Sequence, residues 1–578
     1  MGPFFYRGAR LVGGLSCTGL TPSAPSLIER PTCRADAAAQ PSSRSMSLSS
    51  AAEAAPRSLA EPFRSRRTFA IISHPDAGKT TLTERLLAAA GAIQSAGAVR
   101  GKAGVRSTRS DWMEMEQKRG ISITSSVMTF DYDGLTLNLL DTPGHSDFSE
   151  DTYRTLTAVD AAIMVIDAAK GIEAQTLKLF EVCRLRDIPI ITFINKVDRE
   201  GLAPLDLIDE IQGKLALDLT PVLWPIGQGV DFRGYLDLLE KRVVNPQGKP
   251  IAEYEAIEDL LDNETLVDDP VFMTALESLE MATAMLPAFD LETFHAGHLS
   301  PVLFGSALKG IGVAELLRTL GEWGPEPRPQ PAIPAPIDPS EKKVTGFVFK
   351  VQANMDANHR DRIAFVRLCS GTFTRGMRLK NVRSGKDMAV SNPMFFFGND
   401  RELAEQAVAG DIVGIPNHGT LSVGDTLTEG ANINVTGIPN FAPEIIRRVR
   451  LVDHMKTKQM AKALSDLSEE GVTQVFRRMV GADWIVGVVG QLQLEVLSSR
   501  VAGEYGVPIT FESLNYEVAR WVESDDPAEL ARFITAQKMN MAEDRTRAPV
   551  FLWQNAWWAD RAKQDFPKIR FLTTKERH

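Results

Sequence analysis

Residues 73–80, Ser-His-Pro-Asp-Ala-Gly-Lys-Thr, have the spacing of a loop that binds phosphate groups. In such loops backbone N–H groups and a helix N-terminus cradle the phosphates. Lys79 is expected to reach the β- and γ-phosphates, and the Thr80 hydroxyl to bind Mg²⁺. The usual pattern has glycine at the first position, where this chain has Ser73. The predicted phosphate-binding residues are Ser73, His74, Pro75, Asp76, Ala77, Gly78, Lys79, Thr80 and Thr81.

The tetrapeptide Asn-Lys-Val-Asp at 195–198 follows an apolar run at 188–194 and bears on the choice of base. The Asp198 carboxylate can accept hydrogen bonds from N1–H and the exocyclic amine of guanine, a pair that adenine lacks. Facing the wrong base, a buried carboxylate stays unpaired, which is costly. The tetrapeptide also occurs as a surface turn, but its place after the phosphate-binding segment and directly after an apolar run favours a guanine pocket. The predicted guanine-binding residues are Asn195, Lys196, Val197, Asp198, Ser306, Ala307 and Leu308, the last three through backbone N–H groups.

The segment Asp-Thr-Pro-Gly-His at 141–145 follows another apolar run, at 135–140. Asp141 is placed to hold Mg²⁺, usually through water, and the Gly144 N–H can contact the γ-phosphate. His145 is predicted to orient the attacking water, a role that glutamine has in other GTPases. Alone, the segment also fits a Pro-Gly turn with a solvent-facing histidine. The nucleotide-binding residues predicted here are Asp141, Thr142, Pro143, Gly144 and His145.

A further loop, Arg-Gly-Ile-Ser-Ile-Thr at 119–124, lies between these segments. Such a loop can close over the γ-phosphate, complete the Mg²⁺ shell with a hydroxyl, and open after hydrolysis. Ser122 is the predicted ligand and Thr124 the alternative; a solvated loop with chance hydroxyls is the other interpretation. The predicted metal ligands are therefore Thr80, Ser122 and Asp141, and the predicted catalytic residues are Lys79 and His145.

The elements that position these segments follow from apolar runs separated by helical patterns. Each run is short and stops at a polar or glycine-rich turn, which is typical of a mostly parallel α/β sheet. Ligands bind such sheets at the carboxyl ends of the strands, where the motifs lie. The runs are 69–72, 135–140, 161–166, 188–194 and 302–304, and the helical patterns are 82–90 and 174–186.

Beyond this domain the pattern changes twice. A linker at 325–340 holds seven prolines, so it is stiff and cannot join a central strand. Short β runs with glycine turns then predict a β-barrel, and mixed patterns after it predict an α+β sandwich. The predicted organisation is an α/β P-loop GTPase domain at 63–324 with an insertion near 224–297, a β-barrel at 341–435 and an α+β domain at 436–578. Within the last domain, helices are expected at 456–469 and 492–504, and the final ~50 residues are either a helical cap or partly disordered.

Composition narrows the class of protein. At 578 residues the chain is too long for one core, and about three to four domains are expected. No apolar run reaches the ~18–20 residues that span a bilayer. The net charge of −10 argues against non-specific nucleic-acid binding over the whole surface. The four cysteines lack metal-ligand or paired spacing, which argues for a reducing compartment and against a disulfide scaffold or zinc site.

Together the motifs resemble the translational GTPases, in which Asp-Ala-Gly-Lys-Thr-Thr, Arg-Gly-Ile-x-Ile and Asp-Thr-Pro-Gly-His occur in this order. Members usually carry Thr where this chain has Ser122, a conservative departure. Within the group, the resemblance is to members that act in translation termination, and it covers roughly residues 66–524. It is carried by residues 66–81, 110–127, 138–160, 345–362 and 437–450. Elongation factor G and the ribosomal protection proteins carry further large domains, for which too little sequence follows here.

The resemblance implies a ribosome-stimulated enzyme that hydrolyses GTP to GDP and phosphate with Mg²⁺. After peptide release it would drive the codon-reading release factors off the ribosome and recycle them, with large-subunit RNA positioning His145. It implies a cytoplasmic monomer with no DNA or membrane partner. The alternatives are a tail-less relative of elongation factor G in translocation or ribosome rescue, a GTPase acting away from translation, and an ATP-dependent enzyme. The arginines proposed to contact RNA phosphates are Arg447, Arg448, Arg450, Arg477 and Arg478.

Residues 1–62 differ in composition from the rest of the chain. They are rich in Ala, Ser, Pro and Arg, with six Arg and no Lys, as in organellar transit peptides. The other interpretation is an over-extended start, with Met46 or a nearby residue beginning a short disordered lead. Because the motifs resemble bacterial ones, the second interpretation is favoured.

Replacing Asp198 by Asn tests the guanine pocket. The amide cannot accept both hydrogen bonds from guanine, so GTP affinity should fall by at least about 100-fold, with preference shifting toward xanthosine triphosphate. Competition titration of the two nucleotides measures the shift. Unaltered GTP affinity would contradict the pocket assignment.

Overall fold

The structure, a computed structural model, describes residues 61–93, 116, 122–353, 362–398, 400–481 and 483–576. These residues belong to one compact unit of the chain. The predicted N-terminal extension lies outside the described residues except for Glu61 and Pro62, and so do residues 119–121 of the predicted mobile loop. Within the described part of the chain, no helix is both long and apolar enough to cross a membrane.

Strands and helices alternate through the first domain, as the apolar runs predict. Its elements in chain order are β1 (Arg66–Ser73), α1 (Lys79–Ala89), β2 (Ser126–Tyr132), β3 (Leu135–Asp141), α2 (Ser149–Thr155), β4 (Ala161–Asp167), α3 (Ala174–Arg184), β5 (Ile190–Asn195), α4 (Pro204–Leu215), β6 (Asp218–Ile226), β7 (Gly234–Asp237), β8 (Arg242–Val244), β9 (Pro250–Glu253), α5 (Glu264–Val267), α6 (Pro270–Met285), α7 (Leu291–His295), β10 (Leu299–Phe304) and α8 (Val313–Trp323).

The strands of this domain form one sheet in the order β2-β3-β1-β4-β5-β10-β6-β7-β8-β9. From β3 to β6 neighbouring strands are parallel, while β2 and the β7–β9 extension pair antiparallel. The parallel strands are covered on both faces, which explains their continuous apolar sequence; every residue of β4 is buried. Register aligns Asp167 with Asn195 and Ser73 with Val165, so the strand ends share one edge of the sheet.

The second domain consists of short antiparallel strands. They are β11 (Ala332–Ile333), β12 (Thr345–Ala353), β13 (Arg362–Ser370), β14 (Thr372–Thr374), β15 (Arg378–Asn381), β16 (Asp387–Ala389), β17 (Met394–Phe397), β18 (Asp400–Leu403), β19 (Gln406–Val408), β20 (Ile412–Pro416), β21 (Thr426–Thr428) and β22 (Asn434–Val435). The main ladder runs β16-β15-β21-β12-β13-β20-β17-β18. The proline-rich linker contributes β11, which pairs only with the two-residue β22 among the described strands, as expected of a segment poor in N–H donors.

The third domain mixes helices with an antiparallel sheet. Its elements are β23 (Pro439–Phe441), β24 (Ile445–Leu451), α9 (Thr457–Glu470), β25 (Gln474–Arg478), β26 (Trp484–Val488), α10 (Gln491–Tyr505), β27 (Ile509–Ser513), β28 (Val518–Glu523), α11 (Pro527–Ala536), β29 (Met541–Glu543), β30 (Pro549–Trp553), α12 (Ala556–Asp565), β31 (Arg570–Leu572) and β32 (Thr574–Glu576). The larger sheet has the order β27-β24-β26-β25-β29-β30-β28-β31.

The end of the chain differs from both expectations for it. Instead of a helical cap or partial disorder, β29, β30 and β31 extend the sheet, and α11 and α12 pack beside them around Phe533 and Phe551. These strands are three to five residues long, which is too short to show a clear period-two pattern in the sequence.

A buried ion pair joins the first two domains. The Arg367 guanidinium on β13 contacts the Asp160 carboxylate, which precedes β4, at 2.5 Å, and both side chains are 1% exposed. Arg367 also donates to the Gly410 carbonyl oxygen at 2.5 Å, and Thr68 donates to the same oxygen at 2.7 Å. The barrel is therefore fixed to the first sheet by groups that have no access to water.

Replacing Arg367 by Ala should lower the free energy of unfolding by about 3–5 kcal/mol, because Asp160 would remain buried without its partner. Urea unfolding followed by tryptophan fluorescence measures the loss. Arg375→Ala is the matched control in the same domain, since its pair with Glu405 is 42% and 69% exposed and should contribute about 0–1 kcal/mol. Equal effects of the two substitutions would show that burial does not strengthen the pair of Arg367 and Asp160.

Candidate nucleotide-binding site

The segment between β1 and α1 is a tight loop that requires glycine at position 78. Gly78 has φ +99, and a Cβ there would lie 2.3 Å from Asn195 Nδ2. Asp76 also has a positive φ of 66, a conformation in which Asp is among the few non-glycine residues commonly found. No side chain of the described residues caps α1, so its first N–H groups and the positive end of its dipole suit an anion.

Lys79 and Asp141, predicted on separate motifs, meet at the end of β3. Lys79 Nζ lies 2.5 Å from Asp141 Oδ1, and the two side chains are 6% and 2% exposed. The Thr83 hydroxyl donates to the same carboxylate oxygen at 3.3 Å. Either charge alone would be destabilising in so dry an environment, whereas the pair is neutral. The structure thus brings the predicted phosphate-binding cation and the predicted metal-binding carboxylate to one point of the sheet edge.

The loop after β3 lies against the loop after β1. The Thr142 hydroxyl donates to the Ile71 carbonyl oxygen at 2.6 Å, and a Cβ on Gly144 would be 3.5 Å from the Pro75 nitrogen. His145 follows directly, with its side chain 34% exposed. The structure therefore brings His145 beside the phosphate loop and leaves its ring partly accessible.

The side chain of Asn195 joins the phosphate loop to the predicted base pocket. Its amide donates to the Ala77 carbonyl oxygen at 2.8 Å, and its Oδ1 accepts from the Ala307 N–H at 2.8 Å. Lys196 Nζ donates to the Asp76 carbonyl oxygen and to Asp167, each at 2.7 Å. Three segments that are far apart in the sequence are thus held at fixed distances.

Asp198 and Ser306 meet through their side chains. The Ser306 hydroxyl donates to Asp198 Oδ1 at 2.5 Å, and the Ser306 N–H donates to the Ile311 carbonyl oxygen at 3.0 Å. Because Ala307 donates to Asn195, two of the three backbone N–H groups predicted for guanine are engaged within the protein. The Ser306 N–H is engaged because it lies in the tight turn that pairs Ser306 with Ile311. The Leu308 side chain is exposed and Val197 is buried.

Thr80 lies half-buried in the first turn of α1, and Thr81 is exposed. Of the predicted mobile loop, Ser122 is 8% exposed. The Thr124 N–H and hydroxyl face Glu116 Oε1 at 3.1 and 3.4 Å, so the alternative metal ligand already has a carboxylate partner. The choice between Ser122 and Thr124 as the hydroxyl that binds a cation stays a prediction.

Oxygen donors of this kind fit Mg²⁺. The metal takes one or two carboxylates together with hydroxyl, phosphate and water oxygens rather than a cage of protein ligands. The site offers the Asp141 carboxylate and hydroxyl side chains, and no cluster of three or more His, Cys, Asp or Glu that suits another metal occurs in the described residues.

Several residues that support the site were not predicted from the sequence. Thr83 contacts Asp141, and Asp167 holds Lys196 while also accepting from the Ala169 N–H at 2.9 Å. Glu173 lies 3.1 Å from His74 Nε2. Asp167 was detectable, because it ends an apolar run at the carboxyl edge; Thr83 and Glu173 have no comparable signal.

Three of the arginines proposed to contact RNA are engaged with acidic side chains on the third domain. Arg448 and Arg478 lie 3.4 and 3.7 Å from Asp483, and Arg450 lies 2.8 Å from Glu512. A phosphate contact by these groups would have to compete with the carboxylates.

Each of the three domains matches a known protein family. Residues 64–326 match the family "Elongation factor Tu GTP binding domain", residues 343–430 match "Elongation factor G domain 2", and residues 435–563 match "Class II release factor RF3, C-terminal domain". A curated relative from Nitrosomonas europaea, "Peptide chain release factor 3", is 51% identical over 520 residues, covering 88% of this chain and 96% of the relative. The chain belongs to the peptide chain release factor 3 family.

These matches confirm the predicted fold class, a P-loop GTPase domain followed by a β-barrel and an α+β domain. A crystal structure of a protein from Thermus thermophilus superposes with a TM-score of 0.63 over 80% of this chain and 69% of that chain. At 22% identity this likeness concerns the fold alone. The first domain is that of a guanine-nucleotide-binding translational GTPase.

Replacing Lys79 by Ala removes the buried cation and should reduce GTP hydrolysis by at least about 100-fold. Single-turnover hydrolysis of labelled GTP measures the loss. Lys214→Ala is the control, since that ammonium is 51% exposed and pairs with Glu210 on the surface of α4. Normal turnover by the Lys79 variant would refute the phosphate-loop assignment.

Proposed function

We propose that this protein is a ribosome-stimulated GTPase of translation termination. It hydrolyses GTP to GDP and phosphate and promotes dissociation and recycling of the codon-reading release factors after peptide release. The observation that carries the proposal is the 51% identity across 96% of a peptide chain release factor 3, which extends through the C-terminal domain. An elongation-factor-G-like role in translocation or rescue is the alternative that the experiment below distinguishes.

In the proposed site, Asp198 accepts the guanine N1–H and amine, and the Ser306 hydroxyl holds that carboxylate in position. The loop from Ser73 to Thr81 binds the phosphates through backbone N–H groups and Lys79. Thr80, Ser122 and Asp141 would hold Mg²⁺, which neutralises phosphate charge when bound. Without a ligand, Lys79 and Asp141 neutralise each other; with one, Lys79 turns to the β- and γ-phosphates.

His145 is proposed to orient the attacking water. The transition state of phosphoryl transfer requires charge neutralisation and placement of the nucleophile more than covalent chemistry. The partly exposed His145 ring is accessible to an activating surface, for which we propose the RNA of the large ribosomal subunit. Lys79, at the start of α1, supplies positive charge.

We further propose a monomer of the cytoplasm whose partner is the ribosome, with neither DNA nor membrane as a partner. The proposed domains are residues 63–324, 341–435 and 436–578, with 325–340 as a linker and 1–62 as an extension. Family matches at 64–326, 343–430 and 435–563 support these limits. The insertion near 224–297 corresponds to the elements that lie between β6 and β10.

The experiment is release-factor recycling on termination complexes, measured with and without GTP. The protein should accelerate recycling only with GTP. His145→Ala should retain nucleotide affinity within about twofold, because the ring lies outside the base pocket, yet lose about 100-fold or more of ribosome-stimulated hydrolysis.

His454→Ala is the control, since that residue is exposed on the third domain. Ribosome-stimulated hydrolysis without faster recycling would favour the elongation-factor-G-like alternative. Hydrolysis that ribosomes do not stimulate would favour a GTPase acting away from translation. Full turnover by the His145 variant would remove that residue from the mechanism.

A further inference from the structure

Asp147 lies two residues after His145 and contacts its ring twice. His145 begins the short turn Ser146–Phe148, and the Asp147 N–H donates to His145 Nδ1 at 3.2 Å. Asp147 Oδ1 lies 3.4 Å from the same nitrogen. A neutral ring can accept from the N–H, and a protonated ring can donate to the carboxylate. In either state Asp147 engages Nδ1 and leaves Nε2 for a water molecule.

The other oxygen of this carboxylate contacts the third domain. Asp147 Oδ2 accepts from the Leu492 N–H at 2.8 Å, in the first turn of α10. A carboxylate at a helix N-terminus satisfies a free donor and interacts favourably with the dipole. Here the capping group comes from a residue 345 positions away rather than from the local N-cap residue, Gly490.

The contact with Asp147 leaves no space for a side chain at position 490. A Cβ there would lie 1.9 Å from Asp147 Cγ and 2.2 Å from each carboxylate oxygen. Its φ of −138 is ordinary, so the glycine is required by the close approach and not by the backbone conformation. Any side chain at position 490 must displace the Asp147 carboxylate.

Apolar contacts also join α10 to the segments that follow Ser122 and His145. Ile123, which follows Ser122, packs with Phe148 and with Val496 of α10, and Leu492 packs against this cluster. The same helix that holds Asp147 therefore also lies against the predicted metal-binding loop.

We propose that Asp147 is a positioning residue for His145 and that the N-terminus of α10 sets its orientation. One oxygen of the carboxylate accepts from His145 Nδ1 when that nitrogen carries a proton, and the other accepts from the third domain. A shift of α10 would withdraw the carboxylate and leave Nδ1 with a weaker partner. This inference rests on the role of His145 in the proposed function. If Asp147 and Gly490 were only a structural anchor between domains, disturbing them would change stability or ribosome affinity without changing kcat.

Gly490→Ala tests the proposal from outside the GTPase domain. It should lower the kcat of ribosome-stimulated hydrolysis by about 10- to 100-fold, the scale expected for misplacing a catalytic group by about 1 Å. Guanine-nucleotide affinity, hydrolysis without ribosomes and the KM for ribosomes should stay within about threefold. Gly503→Ala is the matched control on the same helix, where no atom of the described residues lies within 4 Å of the added Cβ.

Combining substitutions separates this proposal from the role of His145. In a His145→Ala background, Gly490→Ala should cause no further loss, because the group that it misplaces is gone. Asp147→Asn keeps the shape of the side chain but has one acceptor oxygen, so it should also lower kcat. It replaces Gly490→Ala as the test if thermal unfolding shows that the Gly490 variant does not fold.

Losses that multiply in the double variant, a Gly490 variant as active as Gly503→Ala, or a change in ribosome KM alone would each overturn the proposal. A fully active Asp147→Asn would do the same. A fully active His145→Ala would instead overturn the role of His145, so the two failures are distinguishable.

Discussion

The Asn195 side chain is the connection on which the geometry of the nucleotide site depends. One amide donates to the loop after β1 and accepts from the turn after β10, so the distance between the predicted phosphate and base subsites is set by two hydrogen bonds. Both bonds are buried, where an unmade hydrogen bond is costly. The requirement extends to Gly78, because any side chain there would collide with this amide.

Much of the first domain and of the candidate site could be predicted from the sequence, because it depends on short local patterns. The five apolar runs correspond to β1, β3, β4, β5 and β10, and the motifs follow strands that end at one edge. What escaped prediction depends on contacts across long sequence distances, such as Arg367 with Asp160 or Asp147 with Leu492. No spacing rule relates such partners. The Ser306 hydroxyl was missed for a different reason: the motif suggested the Ser306 N–H, which a tight turn engages within the backbone.

The contacts between domains differ in kind, and this difference bears on motion. The first two domains share one continuous apolar core, whereas the third has separate cores of its own. It meets the others through the small cluster around Val496, through the rings of Tyr153 and Phe441, and through polar groups that include Arg362 with Glu469 at 3.0 Å and Arg154 with the Gly471 carbonyl oxygen at 3.2 Å. Polar interfaces of this kind permit relative movement more readily than a shared core.

Buried charge reinforces the contact between the first two domains. Burial by itself would raise the pKa of Asp151, but Lys350, Arg154 and the Ser125 hydrogen bonds outweigh it and lower the pKa to about 2. Lys350, from the barrel, also donates to the Ser125 carbonyl oxygen beside the predicted metal-binding loop. Moving one partner would leave charges unpaired in a dry environment. The first two domains are therefore held together by buried charge as well as by their shared core, so relative movement is expected at the third domain instead.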